Sequence, residues 1–195
     1  MPTSICGTTV TVGGIRAPLF FVSATQLAFQ VPYEANLFSA SIVVATNDAI
    51  SLPVNTHGAS TSPGIFTLSD GRTAATQDFG PDGRAFFVLD PNNTNAYASP
   101  GDYLVIYGSG FGQTDPPIQT NQRGGSATLH RVIEPPTVTI AGQPVAVQFA
   151  GLSPGFVGLY QINLQLPADV ARGREVPVVV VSAGRASNTA YIPIR

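Results

Sequence analysis

The chain has 195 residues, 44% hydrophobic and only 10% charged, with a formal net charge of −2; a typical soluble domain carries about 25% charged residues. All nine basic residues are arginine, and nothing in this balance gives an electrostatic footprint for nucleic acid. The apolar content excludes general disorder, and 20 glycines with 17 prolines point to an all-β protein rich in turns.

In chain order, MPTSICGTT lacks the charged and apolar regions of a signal peptide, so an exported protein would carry its signal upstream or have lost it. Cys6 is the single cysteine, which excludes an internal disulfide and a cysteine-based zinc site; it is expected as a small apolar filler near a strand start. TVTV (Thr9–Val12) alternates at period two and predicts a strand. QLAFQVP (Gln26–Pro32) sets Leu27, Phe29 and Val31 on one face and Gln26 and Gln30 on the other, a half-buried strand ended by proline. SIVVATNDAISLPV reads as a hairpin turning near Asn47-Asp48.

Between Ser62 and Ser99, PGIFTL and RAFFVL predict strands, and SDG and GPDG predict turns. The loop DPNNTN (Asp90–Asn95) has oxygen ligands at alternate positions, a start toward a calcium loop. It lacks the glycine at position six and the acid at position twelve, and an Asx-rich linker is the reading adopted. YLVIYGSGFG (Tyr103–Gly112) predicts a strand ending in a glycine turn.

The second half echoes the first. TVTIAG (Thr137–Gly142) repeats TVTVGG, QINLQLP (Gln161–Pro167) repeats QLAFQVP, and PVVVVSAGRAS (Pro177–Ser187) repeats SIVVATNDAIS, in the same order. The second copy is longer by the residues around SPGFVGL, where Phe156 and Leu159 are expected to pack against the connector. The organisation expected is a first unit over 1–61, a β-rich connector over 62–98 and a complete second unit over 99–195. YLVIYGSGFG precedes the second repeat by about two dozen residues, whereas only eight residues precede Thr9, which leaves no room for the equivalent opening strand. The first unit is therefore either trimmed at its front or completed by another segment, since a bare strand edge is a pairing hazard. No stretch shows a helical apolar period, PADVARG reaching a helical turn at most, and no apolar run approaches the ~20 residues of a membrane span.

SPGDYLVIYGSGFG, PTVTIAGQPVAVQFAG, YQINLQLP and VPVVVVSAGRASN together resemble the IPT/TIG type of immunoglobulin-like domain. APLFFVSATQLAFQVPYE, SPGIFTL and LSPGFVGLYQINLQLPA are similar to the C-terminal domain family of large secreted Acidobacterial (Solibacter-type) proteins, and the resemblance covers nearly the whole chain. It implies two Ig-like β-sandwich units joined by a β-rich connector, at the end of a longer exported protein, extracellular or on the cell surface. It carries over no catalytic residue.

The residues themselves offer little chemistry. His57 and His130 are expected in exposed loops, no G-x-S-x-G elbow occurs, and YGSGFG has neither its spacing nor a following helix. A hydrolase using either histidine is the remote alternative. Most of the acids sit beside Gly or Pro, as turn residues do. SPGFVGLY is followed by a strand and not by the helix a phosphate loop needs. No cofactor, catalytic residue or metal site is expected. The function expected is a non-catalytic structural or interaction module, with a protein or cell-surface polysaccharide as partner. A carbohydrate-binding module is the alternative, and its ligand-contact candidates are Tyr97, Tyr103, Tyr107 and Phe156. Tyr103, Val105 and Tyr107 alternate with Leu104 and Ile106, so they are expected to face outward together.

Overall fold

The computed structural model describes residues 1–79, 85–87 and 97–195. The Asp90–Asn95 loop and the GPDG turn fall outside them. Among the described residues there is no α-helix, one 3-10 turn (Leu37–Ser39) and a set of strands whose ladders are all antiparallel. The chain forms two compact units. Unit 1 is Met1–Ala59 with Pro117–Gly124; unit 2 is Ser60–Pro116 with Gly125–Arg195.

In unit 1, β1 (Thr9–Val12), β2 (Ile15–Arg16), β5 (Ala40–Ala45) and β6 (Val54–Thr56) make a sheet of order β2-β1-β5-β6. The hairpin of β3 (Leu19–Val22) and β4 (Leu27–Phe29) makes a second, two-stranded sheet. Alternation puts Val10 and Val12 in the core with Ala17, Leu19, Ala35 and Ala40, while Leu27, Phe29, Ile42 and Val44 pack at its edge. The Pro117–Gly124 segment joins through polar groups. The Glu34 carboxylate accepts from the Thr120 N–H (3.1 Å) and hydroxyl, Thr120 Oγ1 accepts from the Tyr33 N–H (2.8 Å), and Gln30 Oε1 accepts from the Asn121 N–H (2.9 Å).

Unit 2 begins with β7 (Gly64–Ile65), β8 (Thr76–Phe79) and β9 (Ala85–Phe87), followed by β10 (Tyr103–Ser109), β11 (Thr114–Asp115) and β12 (Arg131–Val132). Then come β13 (Thr137–Ile140), β14 (Gln143–Val145), β15 (Val147–Leu152), β16 (Tyr160–Gln165), β17 (Gly173–Ser182), β18 (Arg185–Ala186) and β19 (Ala190–Ile194). One sheet runs β11-β12-β15-β16-β10-β8-β9 with β7 also on β10; the other runs β14-β13-β17-β18 with β19 also on β17. The inward face buries Leu104, Ile106, Ile162, Leu164, Val178, Val180 and Ile192 completely. Phe111 meets Tyr160 edge to face, and the Tyr160 hydroxyl donates to the Gly112 carbonyl at 2.5 Å. The Asn188 side-chain amide grips both backbone groups of Ile65, at 2.8 and 3.1 Å. The glycine turn after β10 has a steric reason: Gly110 has φ +75°, and a Cβ there would lie 1.9 Å from the Ser62 carbonyl oxygen.

The sequence repeat is a repeat of pairing register. Thr9 lies opposite Ala45 as Thr137 lies opposite Val181, and Ile42 opposite Val54 as Val178 opposite Ala190. The hairpins β3–β4 and β15–β16 share even their irregularity. Leu19 and Val147 pair with Phe29 and Leu164, and the register then shifts before Phe21 and Phe149. Ser51 and Ser187 each accept a backbone N–H on the hydroxyl, from Val44 and Val180, both at 3.0 Å. The longer second copy is now located. From Val22 to its repeat partner's facing residue Leu27 is five positions, and from Ala150 to Ile162 is twelve; the seven extra residues extend the β15–β16 hairpin and form its tip.

Two expectations are corrected. Cys6 is not a buried filler: it is exposed, with φ +48°, in the turn that the Ile5–Thr8 bridge closes ahead of β1. Phe156 does not pack: it is 57% exposed at the hairpin tip, because the turn bonds Phe156 N–H to Ser153 O and Ser153 N–H to Leu159 O hold the loop together without it.

Candidate functional site

Strand β10 has β16 on one side and β8 on the other, and its two faces differ in chemistry. The inward side chains are aliphatic. The other face presents Tyr103, Val105 and Tyr107. The register sets Phe79 beside Tyr103, and Gln77 and Asn163 on either side of Val105, with Gln161 beside Tyr107. With Gln148 of β15 and Pro154 of the hairpin tip, these residues line an open groove of about 330 Å³. Val105, 7% exposed, belongs to its floor, and Tyr103, 44% exposed, stands on its rim.

Among the described residues, every side chain lining this groove is uncharged. The Tyr107 hydroxyl donates to Gln77 Oε1 at 2.9 Å, and Gln161 Nε2 donates to Asn163 Oδ1 at 3.1 Å. Each bond uses one half of an amide, so Gln77 and Asn163 keep an NH2 and Gln161 keeps a carbonyl for another partner. Burial pushes the Tyr107 phenol up from its ordinary value, so it stays a neutral donor at physiological pH. Amides do not ionise. The chemistry on offer is therefore recognition by stacking and neutral hydrogen bonds.

Of the four aromatic candidates, the fold gathers Tyr103 and Tyr107 in the groove. Tyr97 is half-buried beside Ala98, which bridges to Ile194, and neither it nor Phe156 lines the groove. Gln77, Phe79, Gln148, Pro154, Gln161 and Asn163 are lining residues that sequence reasoning did not single out. The alternation in YQINLQLP put Gln161 and Asn163 on a wet face, but only the register puts that face beside the tyrosines.

His57 is exposed. His130 is not in an exposed loop, as expected, but 9% exposed at the start of β12, its Nδ1 lying 2.7 Å from the Pro116 carbonyl oxygen. Asp70 and Asp102 act as turn caps. Asp70 accepts from the Arg72 and Thr73 N–H groups at 2.8 and 2.9 Å, and Asp102 accepts from the Ser99 N–H at 2.6 Å. Among the described residues, no three His, Cys, Asp or Glu side chains gather as metal ligands do, and no helix is long and apolar enough to cross a membrane. Comparison with protein-family models, with curated proteins and with solved structures finds no match.

Proposed function

We propose that this chain is a non-catalytic, extracytoplasmic interaction module, part of a larger exported protein and built from two immunoglobulin-like units of the IPT/TIG kind. The observation that carries the reading is the uncharged groove on β8, β10 and β16, where two tyrosines stand among amides. A surface of this composition suits a partner that is itself neutral and rich in hydroxyl or amide groups, and it gives no attraction to phosphate.

Carbohydrate binding is the second reading, favoured by the exposed ring of Tyr103 in the same groove as the amides of Gln161 and Asn163. A sugar ring offers an apolar face to stack and vicinal hydroxyls to bridge. The test is retention of the protein on immobilised neutral polysaccharides and on cell-envelope protein. Tyr103→Ala is expected to weaken retention about tenfold, the loss of roughly 1.4 kcal/mol of stacking. Retention indifferent to Tyr103→Ala and to Asn163→Ala would remove the groove from the account. Selective retention on polysaccharide decides for the second reading over a protein partner.

A further inference from the structure

In unit 2, β16 has a strand on each side, β15 and β10. Its counterpart in unit 1, β4, pairs with β3, and among the described residues no strand lies on the other edge. Three differences follow the missing neighbour. Ile162, Leu164 and Leu166 are 0%, 0% and 2% exposed, whereas Leu27 and Phe29 are half-buried and Val31 is 44% exposed. Leu166 donates its N–H to the Asp102 carbonyl and accepts from the Gly101 N–H, both at 2.9 Å, which fastens β16 to the start of β10. Val31, at the same place in the repeat, makes neither bond among the described residues. Finally, Gln165 Nε2 donates to the Gly101 carbonyl at 3.0 Å, while Gln30, only 7% exposed, keeps an Nε2 that is buried without a partner.

We propose that the open edge of β4 receives an extended peptide strand from outside these 195 residues, antiparallel to β4 and of the chemistry of Gly101–Tyr107. The interface that β10 already makes with β16 specifies that chemistry. It needs a carbonyl and an N–H for Val31, and aliphatic side chains at two alternate positions. Those two take the places of Leu104 and Ile106, which lie opposite Leu164 and Ile162. In such strand addition the backbone supplies affinity and the alternate side chains supply specificity. A second copy is not the donor, because its own β10 is paired on both edges by β16 and β8.

The probe is a synthetic peptide with the sequence of residues 100–110, PGDYLVIYGSG, carrying C-terminal lysines for solubility, added to the full chain. One-to-one binding is expected, with slowed hydrogen exchange at the Val31 N–H and a raised melting temperature; a scrambled peptide does none of this. Val31→Pro removes the edge N–H without breaking an internal bond and should weaken binding at least tenfold. Should that variant fail to fold, exchange at Val31 in the unaltered protein still decides. No binding, or binding that leaves Val31 exchange unchanged, overturns the proposal. So does a peptide-free dimer by sedimentation in which Val31 is already protected, since the occupant is then a second copy.

Discussion

Glu34 shows how much of this protein depends on small polar contacts. Its carboxylate lies at the surface, yet the Thr120 hydroxyl and then the Thr120 N–H hold its pKa below the ordinary 4.5. A carboxyl depressed in the folded state stabilises that state above its unfolded pKa, and the contribution is lost as pH falls through the lower folded value. The contact between Glu34 and Thr120 should therefore be intact at neutral pH and weaken only below about pH 4.5. An NMR titration of the Glu34 carboxyl is expected to give a folded value below 4.5 that moves back up in Thr120→Val. An unmoved value in that variant would mean that Thr120 does not set it. Neither residue drew attention in the sequence, because a contact between positions 34 and 120 leaves no local pattern. The turn aspartates were legible for the opposite reason: Asp70 caps residues two and three positions ahead of it.

At the scale of strands, duplication makes the protein its own control. Leu164 and Ile162 are fully buried between two neighbouring strands, whereas Leu27, the counterpart of Ile162, is half-buried. Leu164→Ala should destabilise unit 2 by about 2–5 kcal/mol, through lost burial and the cavity left behind. Leu27→Ala should cost unit 1 roughly 1–2 kcal/mol, in proportion to its partial burial. Denaturant melts of both variants check this, and equal costs would contradict the burial difference. Period-two alternation and the repeats made the strands readable. Register was not readable, because a strand's sequence names its faces and not its neighbours. Hence the tyrosines of the groove were anticipated and its amides were not.

At the scale of the whole chain, the two units differ in how much they bury. Among the described residues, unit 1 closes over six buried apolar side chains, three of them alanine, while unit 2 fills its interior with Leu104, Ile106, Phe111, Leu152, Ile162, Leu164 and Leu166 among others. Smaller buried surface means smaller stability, so unit 1 should open at lower free energy. Native-state hydrogen exchange is expected to show faster exchange at Val10 and Val44 than at Ile106 and Leu164. Identical protection in both sets would mean one cooperative unit. That the sequence holds two copies of one pattern was legible from the repeat alone. That residues 117–124 belong to unit 1 was not, since nothing in PIQTNQRG marks a strand or a repeat.

That short segment has a consequence for inheritance and engineering. The chain completes most of the first body, starts the second, goes back to finish the first at Pro117–Gly124, and then resumes the second. A gene cut once between the two halves of the repeat cannot yield both bodies whole: a cut before Pro117 strips the first of its Thr120 and Asn121 clasp, and a cut after Gly124 divides the second. Recombination therefore cannot move the first body whole without taking residues 60–116 of the second with it. A laboratory wishing to study the first body alone would have to graft 117–124 back onto it.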